Sequence, residues 1–168
     1  MTAFGLRARA FTLAGGSLTA LLVAFLSQYI GELQPCVLCL YQRWPYVIAI
    51  AVSLIAGIFG PAGNGKIARL FIWLAGLALL VTAGIGVFHV GVEHAWWTGT
   101  QECGNLIQAG SLDELRAAIN NAPVVRCDQA QWSLFGISIA GYNVIYATAL
   151  MLICLIGLSN ADADRSRR

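Results

Sequence analysis

Cys36 and Cys39 stand three residues apart in the stretch PCVLCLYQR, and Arg43 follows four residues after the second. A Cys-x-x-Cys places two sulfurs one helical turn apart and serves either metal binding or thiol–disulfide exchange. A helix is expected to start close to the motif, where unpaired N–H groups and the positive end of the helix dipole favour a thiolate. Arg43 shares a helix face with Cys39 and adds a cation one turn away. Its alternative role is that of an interfacial arginine reaching for lipid headgroups. A stabilised thiolate is a good leaving group and electron donor. Two more cysteines, Cys103 and Cys127, lie in one polar connection, while Cys154 stands alone in an apolar run, where it reads as a small packing residue. Metal binding is the chief competitor. A four-cysteine zinc site usually pairs two short Cys-x-x-Cys elements, whereas a long loop separates Cys103 from Cys127. A copper handler favours sulfur-rich surroundings, and the only methionines are Met1 and Met151. No metal is expected.

The elements that must hold these residues are membrane helices. Charged residues make up 11% of the 168-residue chain and apolar residues 58%; soluble domains carry roughly twice that charge. A net charge of +2 without a basic stripe does not suggest nucleic acid, and no nucleic-acid partner is expected. Four runs carry no charge: Ala10–Ile30, Trp44–Gly65, Leu70–Val92 and Gln129–Asn160, the last most apolar from Leu134. Each holds the roughly 20 apolar residues that cross about 30 Å of hydrocarbon, where backbone groups must pair internally as helices. The expected fold is all-α: a four-helix transmembrane bundle in one domain (1–168), with spans at about 10–30, 44–62, 70–92 and 134–158. Arg7 and Arg9 before the first run resemble the start of a signal peptide. The following SQYIGELQPC lacks a small-x-small cleavage site, so a retained helix is expected.

Arg7, Arg9, Lys66, Arg69, Arg165, Arg167 and Arg168 fall at the two termini and the middle connection; Arg43, Arg116 and Arg126 fall in the other two. The positive-inside rule then places both termini in the cytoplasm and Cys36, Cys39, Cys103 and Cys127 on the outer side, where disulfides persist. The loop at about 93–133 is flanked by Trp96, Trp97 and Trp132, as in an interfacial aromatic belt. Within it, SLDELRAAIN has a capping-box pattern at Ser111 and Glu114, and Leu112, Leu115 and Ile119 share one face. A short amphipathic helix on the membrane surface is expected there, ended by Asn120, Asn121 and Pro123. Cys103 and Cys127 bracket it. Closing that loop restricts the chain by about 3 kcal/mol, so a structural disulfide competes with an exchangeable one; Gly104 and Asp128 beside the cysteines favour access.

As a set, PCVLCLYQR, the four spans, the two-cysteine loop and CDQAQWSLFGISIAGYN resemble the bacterial inner-membrane disulfide bond formation family DsbB, over nearly the whole chain. The resemblance implies a multi-pass protein of the bacterial inner membrane with its redox cysteines on the periplasmic side. It implies that Cys103 and Cys127 form the disulfide that oxidises a soluble periplasmic thioredoxin-fold partner, DsbA, with Cys103 attacked first. Cys36 and Cys39 would regenerate that disulfide and pass two electrons to a membrane quinone, ubiquinone rather than menaquinone, and so to the respiratory chain. Cys39 would be the sulfur nearest the quinone and Arg43 would contact the quinone ring oxygen. The family also tends to have a histidine near the outer end of the third helix; His89 and His94 are the candidates, His89 the deeper, with Glu93 and Trp97 as further guesses. A strongly oxidising partner needs an acceptor coupled to respiration, and a quinone dissolves in lipid, which accounts for a Cys-x-x-Cys at the membrane edge. The alternatives are a vitamin-K-epoxide-reductase-like enzyme, disfavoured because the loop cysteines follow the Cys-x-x-Cys, and a non-catalytic scaffold or metal-binding membrane module.

Overall fold

A computed structural model describes residues 3–59, 65–104, 111–112 and 125–166. Among the described residues four long helices dominate: α1 (Ala3–Tyr29), α2 (Val37–Phe59), α3 (Gly65–Glu93) and α4 (Ile139–Ser166). All four are long and apolar enough to cross a membrane. α2 starts at the Cys-x-x-Cys itself, ahead of the uncharged run, because the main-chain N–H of Leu40 already bonds to the Cys36 carbonyl at 3.1 Å. Pro45 inside α2 has no N–H to offer the Tyr41 carbonyl. The amphipathic loop helix expected around Ser111–Asn121 lies outside the described residues apart from Ser111 and Leu112.

Consecutive helices pack on one another, α1 on α2, α2 on α3 and α3 on α4, while α1 and α4 touch only sparingly. Lipid tails are as apolar as leucine, so close approach of the backbones supplies much of the packing energy between membrane helices. Small side chains allow it here: Ala10, Ala14, Ala49, Ala56, Ala68, Ala75 and Ala147 are buried between the helices around Leu13, Ile72 and Leu79. Large apolar side chains such as Leu22, Ile58, Leu77 and Ile156 face outward. The thin α1–α4 seam is held where Tyr146 donates to the Gly16 carbonyl at 3.0 Å and Leu150 lies against Gly16.

The end of α3 sets the position of everything after it. The N–H of Trp96 bonds to the Gly91 carbonyl at 2.9 Å and that of Ala95 to the Val92 carbonyl at 3.1 Å. Ala95 has φ 56°. This is a Schellman closure with alanine in the left-handed position usually held by glycine. The reversal folds Trp97 back over α3, where its indole N–H donates to the Phe88 carbonyl at 2.8 Å and its ring stacks on Phe88 with centroids 5.8 Å apart. Gly91 lies directly beneath that ring, and a methyl group there would run into it. Gly91→Ala should therefore displace Trp97 and destabilise the protein by about 1–3 kcal/mol. Thermal unfolding and tryptophan fluorescence check this; an unchanged midpoint with unchanged emission would contradict it.

α4 begins at Ile139, after the predicted start near Leu134. The preceding residues form a hairpin, β1 (Ser133–Leu134) with β2 (Ile137–Ser138), paired Ser133 to Ser138 and Leu134 to Ile137. Its two-residue turn, Phe135–Gly136, has φ 51° and 77°, as a primed hairpin turn requires.

Candidate functional site

The α2 amino terminus, the last turns of α3 and the segments around Cys103 and Cys127 meet at one end of the bundle. Cys36, Leu38, Val92, Cys103 and Cys127 form one buried cluster there. Cys103 and Cys127 are disulfide-bonded, with Cα atoms 5.2 Å apart; Cys36 and Cys39 are free. Tyr41 on α2 donates to Glu102 at 2.5 Å, tying the 3-10 turn Gln101–Gly104 to the helix that carries the Cys-x-x-Cys.

The sulfurs of Cys36 and Cys39 are 3.1 Å apart, close enough to share one proton. Cys36 Sγ also accepts the Cys39 main-chain N–H at 3.3 Å and faces His89 Nε2 at 3.5 Å. With those donors around Cys36, the shared proton belongs on Cys39 and the charge on Cys36. The hydrogen bond with Cys39, against burial and with help from His89, holds the Cys36 thiol well below its ordinary value. His89 is only 3% exposed. Its ring also meets the main chain of Cys127, and Glu93 lies 3.8 Å from its Nε2, so His89 stands between the two cysteine pairs. The donor atoms of Cys36, Cys39 and His89 all lie within 4.8 Å of one another.

Arg43 keeps the charge interaction with Cys39 that its spacing implied, but its hydrogen bonds run elsewhere. Its Nη1 donates to Gln28 Oε1 at 2.7 Å, its Nη2 reaches the Ala24 carbonyl at 3.5 Å, and its guanidinium lies 5.1 Å from the Phe25 ring centroid. The hydrogen bonds of the cation thus go to α1 rather than to a sulfur. Arg43 and Cys39 nevertheless line the same cavity, of about 460 Å³, which opens between α1 and α4 and is walled by Leu21, Ala24, Ile145 and Tyr146. His89 and Glu93 also line it. His94 is exposed and stacks on Trp96 at 5.5 Å, outside this grouping, and Trp97 is spent on Phe88 and Gly91.

Sequence reasoning passed over Gln42 and Asn143. Gln42 Nε2 lies 3.0 Å from His89 Nδ1, and Asn143 Nδ2 donates to Gln42 Oε1 at 2.6 Å. Tyr46 in turn donates to Asn143 Oδ1 at 2.7 Å. The available signal was polarity: uncompensated amides inside apolar spans are costly and mark sites.

A family model described as disulfide bond formation protein DsbB matches residues 6–157. The chain is 32% identical to disulfide bond formation protein B of Psychrobacter sp. (strain PRwf-1), over 95% of each chain. It is 29% identical to the protein of that name from Marinobacter nauticus, over 80% of this chain and 81% of the relative. Against the one from Acinetobacter baumannii it is 28% identical, over 83% and 82%. No solved structure matches significantly.

Proposed function

Because the chain belongs to the DsbB family of disulfide bond formation proteins, we propose that it is a protein dithiol:quinone oxidoreductase that re-oxidises a periplasmic, DsbA-like thioredoxin-fold partner. The observation that carries this reading is the meeting of free Cys36, with free Cys39 packed beside it, and the Cys103–Cys127 disulfide in one buried cluster. The family match displaces the vitamin-K-epoxide-reductase-like alternative.

A partner thiolate attacks Cys103, the Cys103–Cys127 bond breaks and Cys127 leaves as thiolate. The partner's second thiolate attacks its own first sulfur, so the partner departs oxidised and the loop pair is left reduced. Cys127 then attacks Cys36 of an oxidised Cys36–Cys39 pair and Cys39 leaves. Cys103 attacks Cys127, the loop disulfide re-forms and Cys36 leaves as thiolate. The resulting state, an oxidised loop beside a reduced Cys-x-x-Cys, agrees with the bonded Cys103–Cys127 and the free Cys36 and Cys39. A quinone, when bound, supplies the acceptor for the two electrons and two protons of the Cys36–Cys39 pair. The residues present fit it: the cavity has aliphatic walls for an isoprenoid chain and presents Cys39 and Arg43 to the ring. Ubiquinone is the proposed quinone, and the respiratory chain drains the electrons. The positive-inside distribution supports cytoplasmic termini and periplasmic cysteines.

Arg43 separates the quinone step from the partner step. Arg43→Ala should raise the apparent quinone KM about tenfold or more while single-turnover oxidation of reduced DsbA proceeds unchanged, read by quinone absorbance and by thiol titration. An unchanged quinone dependence would reduce Arg43 to a clamp between α1 and α2. A second reading, a thiophilic metal site, rests on the three donors of Cys36, Cys39 and His89. Reduction of one quinone per partner disulfide by metal-free protein supports the oxidoreductase; zinc binding without quinone reduction supports the metal site.

A further inference from the structure

We propose that Gln42 and Asn143, oriented by Thr82, are positioning residues that hold the His89 ring with its Nε2–H aimed at Cys36. The inference rests on the relay just described, but its geometry stands by itself. Thr82 Oγ1 is 2.8 Å from the main-chain carbonyl of Gln42, which can only accept. The single hydroxyl proton of Thr82 is spent there. Its oxygen can then only accept from Asn143, 3.5 Å away, so the Asn143 NH2 must face it. The same NH2 donates to Gln42 Oε1 at 2.6 Å, and Asn143 Oδ1 is left to accept from Tyr46 at 2.7 Å. With its oxygen engaged, Gln42 must present its own NH2 to His89 Nδ1, 3.0 Å away. A donor there requires a lone pair on Nδ1, so the ring proton sits on Nε2, the nitrogen that faces Cys36 Sγ.

The reverse polarity would turn Asn143 Oδ1 toward an oxygen whose proton is already committed. Gln42, Thr82 and His89 are all buried and Asn143 is half-buried, which limits the alternative partners that water can offer. Glu93, 3.8 Å from Nε2, pulls the proton to the same nitrogen. The other donors to Cys36 come from Cys39, within the motif; His89 is the donor that α3 brings. Its use falls where Cys103 attacks Cys127 and Cys36 leaves with the electron pair of the broken bond. The charge arriving on Cys36 then meets an N–H already in place.

Two measurements test this. In nitrogen-15-labelled protein in detergent, the His89 signal, assigned by its loss in His89→Gln, should be that of a neutral ring protonated at Nε2. A coupling across the hydrogen bond should link Nδ1 to the Gln42 side-chain amide and vanish in Gln42→Leu. In stopped flow, Gln42→Leu should slow transfer of the disulfide from the Cys36–Cys39 pair to the loop pair roughly tenfold or more, the effect of a lost hydrogen bond to a charged group. Attack of reduced DsbA on Cys103–Cys127 should keep its rate, which also reports that the variant is folded. A wild-type ring protonated at Nδ1 would overturn the proposal, as would wild-type transfer in Gln42→Leu. The wild-type spectrum decides the polarity even if that variant fails to fold. The expected spectrum in a protein that moves no electrons to quinone would instead refute the relay and leave the hydrogen-bond order standing.

Discussion

A Cys36→Ala protein should oxidise one equivalent of reduced partner and then stop. Its Cys103–Cys127 disulfide remains available for a first exchange, but the loop pair then has no disulfide to attack, because Cys39 alone cannot form one. Steady-state turnover should fall by at least about a thousandfold, the scale seen when one member of an interdependent catalytic set is removed. Cys154→Ala is the control. Its sulfur is buried against Gly76 and 3.4 Å from the Ile72 carbonyl, within the inter-helix core rather than the cluster of Cys36. That substitution should cost stability of only about 1 kcal/mol and leave partner oxidation near wild type. Full turnover by Cys36→Ala would sink the relay.

A DsbA variant lacking its second cysteine should be trapped on Cys103. The two loop cysteines differ in burial as residues, Cys103 at 8% exposed and Cys127 at 1%, and the less buried one is the expected point of attack. Asp128 contributes less than its position beside Cys127 implied, because its carboxylate is paired with the Arg126 guanidinium. Burial takes over the role that repulsion was expected to fill. Cys127→Ser should retain the adduct and Cys103→Ser should lose it nearly completely, since a trapped disulfide is all or none at each sulfur. Peptide mapping that placed the adduct on Cys127 would reverse the order and require another route to Cys36.

The four helices were legible because each uncharged run is long enough to span hydrocarbon and must pair its backbone internally. The gathering of Cys36, Cys39, Cys103 and Cys127 at one end was legible from the alternation of basic connections. Side-chain direction was not. Arg43 lies one turn from Cys39, yet Gln28, Ala24 and Phe25 on α1 capture its guanidinium, and no local spacing encodes a partner on another helix. Gln42 and Asn143 meet across 101 positions of sequence, so each alone reads as an isolated polar residue. Ala95 gives no sign of the left-handed turn that ends α3, because alanine does not favour it; the turn goes with the docking of Trp97 over Gly91.

Whether electrons leave the loop pair for the Cys-x-x-Cys pair and then for quinone is read by mapping cysteines under non-reducing conditions. Purified protein is given reduced DsbA with and without added ubiquinone, quenched by alkylation and digested. With quinone in excess, Cys36–Cys39 and Cys103–Cys127 should both be recovered as disulfides. Without it, one equivalent of partner should leave Cys36 and Cys39 alkylated and Cys103–Cys127 intact, the distribution in this structure. Recovery of alkylated Cys103 and Cys127 beside an intact Cys36–Cys39 disulfide, with or without quinone, would contradict the account.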